Sequence, residues 1–133
     1  MSRFVCDSFA LLAWHWHEPG ELRVRQLMRS ENHQFWMSVI NLGEMYYRIA
    51  AEEGRKAAED ALKWTARIGG LSIVDANRSL TIEAAKIKSA YPISYADAFA
   101  AALTLRQNAS LMTGDPEFLP LERDGVLNIT WLR

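Results

Sequence analysis

The sequence predicts an α/β fold, a parallel sheet with helices on both of its faces. Short apolar runs such as RFVC, QFWMSV and LSIV alternate with helical segments, the pattern of strands joined through helical crossovers. These runs are apolar almost throughout, as expected of strands covered on both sides. The segment ADAFAAAL carries small side chains on several sides, so its helix fits very close against a sheet.

Each element follows in order. Arg3–Cys6 is the first strand, and Asp7-Ser8 turns it into the apolar helix FALLAWHW, which Pro19-Gly20 ends. A second helix spans about Glu21–Ser30, with Leu22, Leu27 and Met28 on an uneven apolar face. Gln34–Val39 reads as the second strand, and a helix from about Leu42 to Ala51 runs on to a break at Gly54. Residues 55–67 place Arg55/Glu59, Lys56/Asp60 and Glu59/Lys63 four apart, a solvated helix face. Gly69-Gly70 stops that helix, and Leu71–Val74 is the third strand. Asn77–Ser89 is helical up to Tyr91-Pro92, and Ser94–Arg106 is the Ala-rich helix. Ser110–Met112 and Leu127–Leu132 complete the strands.

A chain of 133 residues is expected to form one domain, 1–133, and to bury about two-thirds of its unfolded surface. With 50% apolar and 23% charged residues it is not a disordered chain. The net charge of -1 does not point to nucleic acid by itself, although a compact group of acids masks a basic remainder. One cysteine, Cys6, forms no internal disulfide and fits a reducing cytoplasm. Asp7 interrupts the N-terminal apolar stretch, so no signal peptide is expected there. No run approaches the roughly 18 apolar residues of a membrane span. The expectation is a soluble, cytoplasmic protein.

Four acids stand where helices begin. Asp7 follows the first strand as a helix N-cap. Glu44 lies three residues after Asn41, the interval of a capping box in which its side chain returns to the Asn41 amide, and Asp97 stands at the same interval from Ser94. Asp115 precedes Pro116, a common helix start. Capping, worth about 1 kcal/mol, accounts for each acid taken singly.

Taken together they say more. Three of the acids follow closely on strands, and in a parallel sheet those strand ends share one edge of the fold. Asp97 reaches the same edge if a right-handed crossover starts its helix there. Ligands of open α/β sheets gather at this edge, where strand order reverses. Carboxylates brought so close repel by several kcal/mol at an effective dielectric of about 20. A divalent cation relieves that repulsion. An all-oxygen set without His or Cys suits Mg²⁺ or Mn²⁺ rather than zinc. Such a site polarises a phosphate and activates water, and Thr113 adds a hydroxyl.

Four segments carry a family resemblance: FVCDSFALLAW, SVINLGEMYYRI, ISYADAFAAALTL and LMTGDPEF, in that order along essentially the whole chain. The sequence resembles the PIN-domain ribonucleases, in particular VapC-type toxins of toxin–antitoxin pairs. The resemblance implies a three-layer α/β/α fold with a five-stranded sheet of order 3-2-1-4-5. It implies Mg²⁺- or Mn²⁺-dependent RNA cleavage by Asp7, Glu44, Asp97 and Asp115, with Thr113 at a position of hydroxyl or amide residues. It further implies a homodimer silenced by an antitoxin protein lying across its groove. The RNA target is not implied.

Other features are weighed against this reading. Without the four acids, 16 Asp and Glu become 12 against 15 Lys and Arg, a remainder of +3 that suits phosphate binding. Arg48, Arg55, Lys56, Lys86 and Lys88 are candidates for backbone contacts or plain solvated helix faces. His15 and His17, two apart, make a poor chelating pair. Trp14 and Trp16 are core residues or anchors for a partner, and Trp36, Trp64 and Trp131 are assigned to the core. Asp75 ends the third strand but precedes a cap, Asn77. A phospho-accepting receiver domain is the competing class, with Asp75 as acceptor, yet the Lys it wants after the fifth strand is missing from ITWLR. A non-catalytic interaction module is the third, and four intact acids speak against it.

Overall fold

The computed structural model describes residues 2–133. Five parallel strands form its sheet: β1 (Ser2–Cys6), β2 (His33–Ser38), β3 (Leu71–Val74), β4 (Ser110–Thr113) and β5 (Ile129–Trp131). Their order is β3-β2-β1-β4-β5. The helices are α1 (Ser8–His15), α2 (Glu21–Met28), α3 (Val39–Glu53), α4 (Arg55–Ala66), α5 (Arg78–Ala90), α6 (Tyr95–Arg106) and α7 (Leu119–Arg123), with a 3₁₀ turn at Pro116–Phe118. From β1 the chain steps outward to β2 and β3, then crosses back to β4 on the other side of β1. The order therefore reverses between β1 and β4.

Strand alternation divides the core in two. Phe4, Cys6, Phe35, Met37 and Met112 face one cluster, with Leu11, Val24, Met45 and Ala58 from α1, α2, α3 and α4. Val5 and Leu111 face the other, with Leu80, Phe99 and Leu121 from α5, α6 and α7. These are the three layers the sequence predicts. Helix α6 is buried from Asp97 to Thr104, and its four alanines in that stretch let it approach the sheet closely. Among the described residues, no helix is long and apolar enough to cross a membrane.

Most differences from the sequence reading are shifts at element ends. One has consequences. Val39 and Ile40 read as the end of a strand because they are β-branched and apolar, yet Ser38 stops β2 and caps α3, its Oγ accepting from the Ile40 amide at 3.1 Å. Asn41 therefore sits inside the first turn and is fully buried, its Nδ2 donating to the Ala96 carbonyl at 3.0 Å. It does not cap the helix, so the capping-box account of Glu44 is overturned. Helix α7 was too short, and too proline-interrupted by Pro120, to show a period.

Trp36, Trp64 and Trp131 are half-buried at the margins of the two clusters instead of fully inside. The indole is too large for the interior of a thin three-layer domain. Arg3 covers the Trp36 ring at 4.6 Å, and Trp14 meets Trp64 edge-to-face at 4.9 Å. His15 and His17 go to separate partners, Glu53 at 2.6 Å and Glu21 at 2.8 Å, as their spacing predicts.

Leu111 tests the second cluster, because it is fully buried in the strand beside the reversal point. Leu111→Ala is expected to cost about 2–5 kcal/mol in urea unfolding. Leu22→Ala, at a side chain 66% exposed, should stay within about 0.5 kcal/mol.

Candidate active site

The carboxyl ends of β1 and β4 flank the reversal point, and the residues that follow them build the site. Cys6 pairs with Met112 in the sheet register, so Asp7 and Thr113 emerge side by side. The Thr113 hydroxyl donates to Asp7 Oδ2 at 2.5 Å. Asp7 Oδ1 accepts from the Ala10 amide at 3.1 Å and caps α1. The Thr113 oxygen in turn accepts from the Asp115 amide at 3.1 Å. Asp115 caps the 3₁₀ turn, its Oδ1 accepting from the Glu117 amide at 2.9 Å. Both caps that the sequence predicts are present.

The other two acids arrive from helices. Glu44 lies in α3, where the Ser8 hydroxyl donates to its Oε1 at 2.6 Å. Asp97 lies in the first turn of α6, and its amide donates to the Ser94 hydroxyl at 3.1 Å, half of the predicted capping box. The Asn41–Ala96 bond ties the start of α3 to the start of α6, holding Glu44 and Asp97 in fixed relation. Asn41, Ser8 and Ser94 are the supports beneath the acids.

Charge interaction joins all four predicted acids. Burial pushes the Asp97 carboxyl up to about 8, with Asp115, Asp7 and Glu44 adding repulsion and the Ser94 hydroxyl offsetting part of it. Burial likewise raises Asp7 to about 7, against the bonds from Thr113 and Ala10 and together with Asp115 and Glu44. Asp7 and Asp97 are nearly inaccessible, 2% and 8% exposed, while Glu44 and Asp115 are half-buried. Carboxylates in such a place keep their protons near neutral pH unless a cation replaces them.

Two of the four predicted acids also meet a third carboxylate. Asp97, Asp115 and Glu117 each offer an oxygen within 4.8 Å of the others. Asp7 and Glu44 are outside this trio but act on Asp97 through charge. Sequence reasoning missed Glu117, and the signal was available: Pro116 starts a turn that returns the next acid toward Asp115. The oxygen-only donor set and the raised Asp7 and Asp97 carboxyls fit a hard divalent ion.

Other sequence candidates lie elsewhere. Asp75 is exposed and is not among the acids that raise Asp7 and Asp97, while Asn77 caps α5 as expected. The strand order 3-2-1-4-5 also differs from the 2-1-3-4-5 order of receiver domains, which removes that alternative. Arg55, Lys56 and Lys86 pair with acids on their own helices, and Arg48 lies over the Trp16 ring at 5.5 Å.

Residues 4–123 match the model of the PIN domain. No curated protein matches the sequence. Among solved structures, DNA-bound VapBC from Salmonella typhimurium matches with a TM-score of 0.75 at 18% identity, covering 100% of both chains. VapC20 of Mycobacterium tuberculosis, a sarcin-ricin loop cleaving toxin, gives 0.74 at 18% identity over 90% of this chain and 94% of that one. VapBC-1 from nontypeable Haemophilus influenzae gives 0.71 at 17% identity over 98% of each. At such identities the likeness is one of fold, but the family model covers most of the sequence, from β1 through α7. The chain belongs to the PIN domain family.

Proposed function

We propose that this protein is a divalent-metal-dependent endoribonuclease and the toxin of a toxin–antitoxin pair. The convergence of Asp7, Glu44, Asp97 and Asp115, joined by Glu117, at the reversal point of the sheet carries the reading. The solved relatives are described as VapBC complexes and a VapC toxin, which supports an antitoxin partner and an RNA substrate. A homodimer in the cytoplasm belongs to the same reading, and the lone buried thiol of Cys6 suits a reducing compartment.

Asp97, Asp115 and Glu117 would hold Mg²⁺ or Mn²⁺, with Asp7 and Glu44 adding negative charge to the same hollow. The bound ion supplies charge neutralisation for a phosphodiester and acidifies water. Thr113 fixes the orientation of Asp7 and favours its ionised form, since its bond lowers the Asp7 pKa. Glu44, anchored through Oε1 by Ser8, keeps its second oxygen to orient the attacking water. That water would lose a proton to solvent and form the new P–O bond as the bond to the departing ribose oxygen breaks and that oxygen takes up a proton.

Activity tests the reading directly. The wild-type protein, freed of any antitoxin, should cleave RNA with Mn²⁺ and lose that activity in EDTA. Asp7→Asn and Asp97→Asn should each lower the rate at least about a hundredfold while the circular dichroism spectrum is kept. No cleavage by wild type across a broad RNA panel would overturn the assignment.

Metal-free stability has a definite sign. The folded Asp7 and Asp97 carboxyls are raised to about 7 and about 8, above the ordinary 3.8, so the folded state holds protons that the unfolded chain has released. Stability in EDTA should therefore fall as pH rises from about 4 to 8, by up to about 1.4 kcal/mol per pH unit for each group. Urea unfolding at pH 5 and pH 8 reads this, and Mg²⁺ should restore the loss at pH 8. Asp97→Asn should flatten the pH dependence.

A further inference from the structure

Beside the acids lies a cavity of about 320 Å³ lined by Gly114, Pro116, Leu119, Trp131 and Arg133. Trp131 pairs with Thr113 across the β4–β5 ladder, so the cavity lies one strand over from the residue whose hydroxyl holds Asp7. Its wall is apolar and aromatic, and the indole is fixed by donation from Nε1 to Glu122 Oε2 at 3.0 Å. Its rim is a cation. Arg133 donates from Nε to the Gly114 carbonyl at 3.3 Å and lies 4.9 Å over the Phe9 ring. Among the described residues it has no carboxylate partner despite the acids nearby, and its two terminal amino groups make no hydrogen bond. Gly114 keeps this arrangement compact, since a Cβ there would lie 2.4 Å from the Phe9 ring.

We infer that this cavity is a nucleotide subsite in which one base of a single-stranded RNA stacks on Trp131 while Arg133 holds an adjacent phosphate. The inference deepens the ribonuclease reading and rests on it for the identity of the strand. An aromatic face takes any base, because every base offers a π surface, and a planar guanidinium pinned through Nε presents its remaining N–H groups to phosphate oxygens. A small apolar molecule would not need the cation, and a free anion would not need the indole. The pair of features at one step from the acids fits a nucleotide. The subsite would fix the register of the strand over the reacting phosphate.

Binding of a short, labelled single-stranded oligoribonucleotide to the full chain, followed by fluorescence anisotropy with Ca²⁺ in place of Mg²⁺, tests it. Arg133→Gln should weaken binding about fivefold or more and lower the slope of log K against log salt by about 1. Arg106→Gln, at the end of α6 opposite Asp97 and bonded to Ser79, should leave affinity unchanged. Trp131→Leu should weaken binding about fivefold or more. Removing one base at a time should cost wild type affinity at one position and cost Trp131→Leu nothing there. If Trp131→Leu melts far below wild type, the Arg133→Gln salt slope decides. Variants that fold and bind like wild type overturn the subsite, even where wild type cuts RNA. Wild type that shows these signatures yet cuts no RNA keeps the subsite and overturns the ribonuclease reading instead.

Discussion

Like charge forced into one hollow is the constraint on which the rest of the structure depends. Asp7 and Asp97 are buried, and Asp115 and Glu44 lie close enough to raise both. Burying ionised carboxylates together is among the least favourable things a fold can do. The arrangement persists because each acid hangs on a separate rigid support. Asp7 is held by Thr113 and Ala10, Glu44 by Ser8, and Asp115 by the turn it caps. The acids cannot move apart without breaking strand register or melting the start of a helix.

Closeness of the layers makes this possible. Asp97 reaches the sheet edge because α6 lies almost flush on β1, β2 and β4, which its alanines permit. Larger side chains at those positions would lift the helix and carry Asp97 away from Asp7. Asn41 fixes the remaining degree of freedom by bonding α3 to the first turn of α6. Packing and site geometry are therefore one property here, and a core substitution in α6 acts on the acids through distance.

Much of this was legible in the sequence because the signals were local. Alternating short strands and helices gave the layered fold, and Asp7, Asp97, Asp115 and Thr113 stand at element boundaries that turn chemistry marks. What escaped was non-local. Asn41 looked like a cap because it precedes Glu44 by three, and only the packing of α3 against α6 reveals its bond to Ala96. Glu117 is not among the acids that the sequence singles out, and only the arrival of α6 makes it a neighbour of Asp97. Trp36, Trp64 and Trp131, assigned to the core, pack against its clusters but stay half-buried, as large indoles commonly do.

Capping and metal binding, set against each other by the sequence, turn out to be compatible uses of one carboxylate. Asp115 Oδ1 accepts from the Glu117 amide, and Asp7 Oδ1 accepts from the Ala10 amide. A cap needs one oxygen; the second takes the Thr113 hydroxyl in Asp7 and, among the described residues, accepts no hydrogen bond in Asp115. The cap does more than coexist with the site. It pins the carboxylate's direction using a backbone amide already in place, so a bound cation would meet ligands that need little reordering. Placing an acid at a helix start just beyond a parallel strand therefore yields a local anchor and a ligand facing the sheet edge in a single residue. That economy fits Asp7 and Asp115, which sit where an ordinary helix cap would.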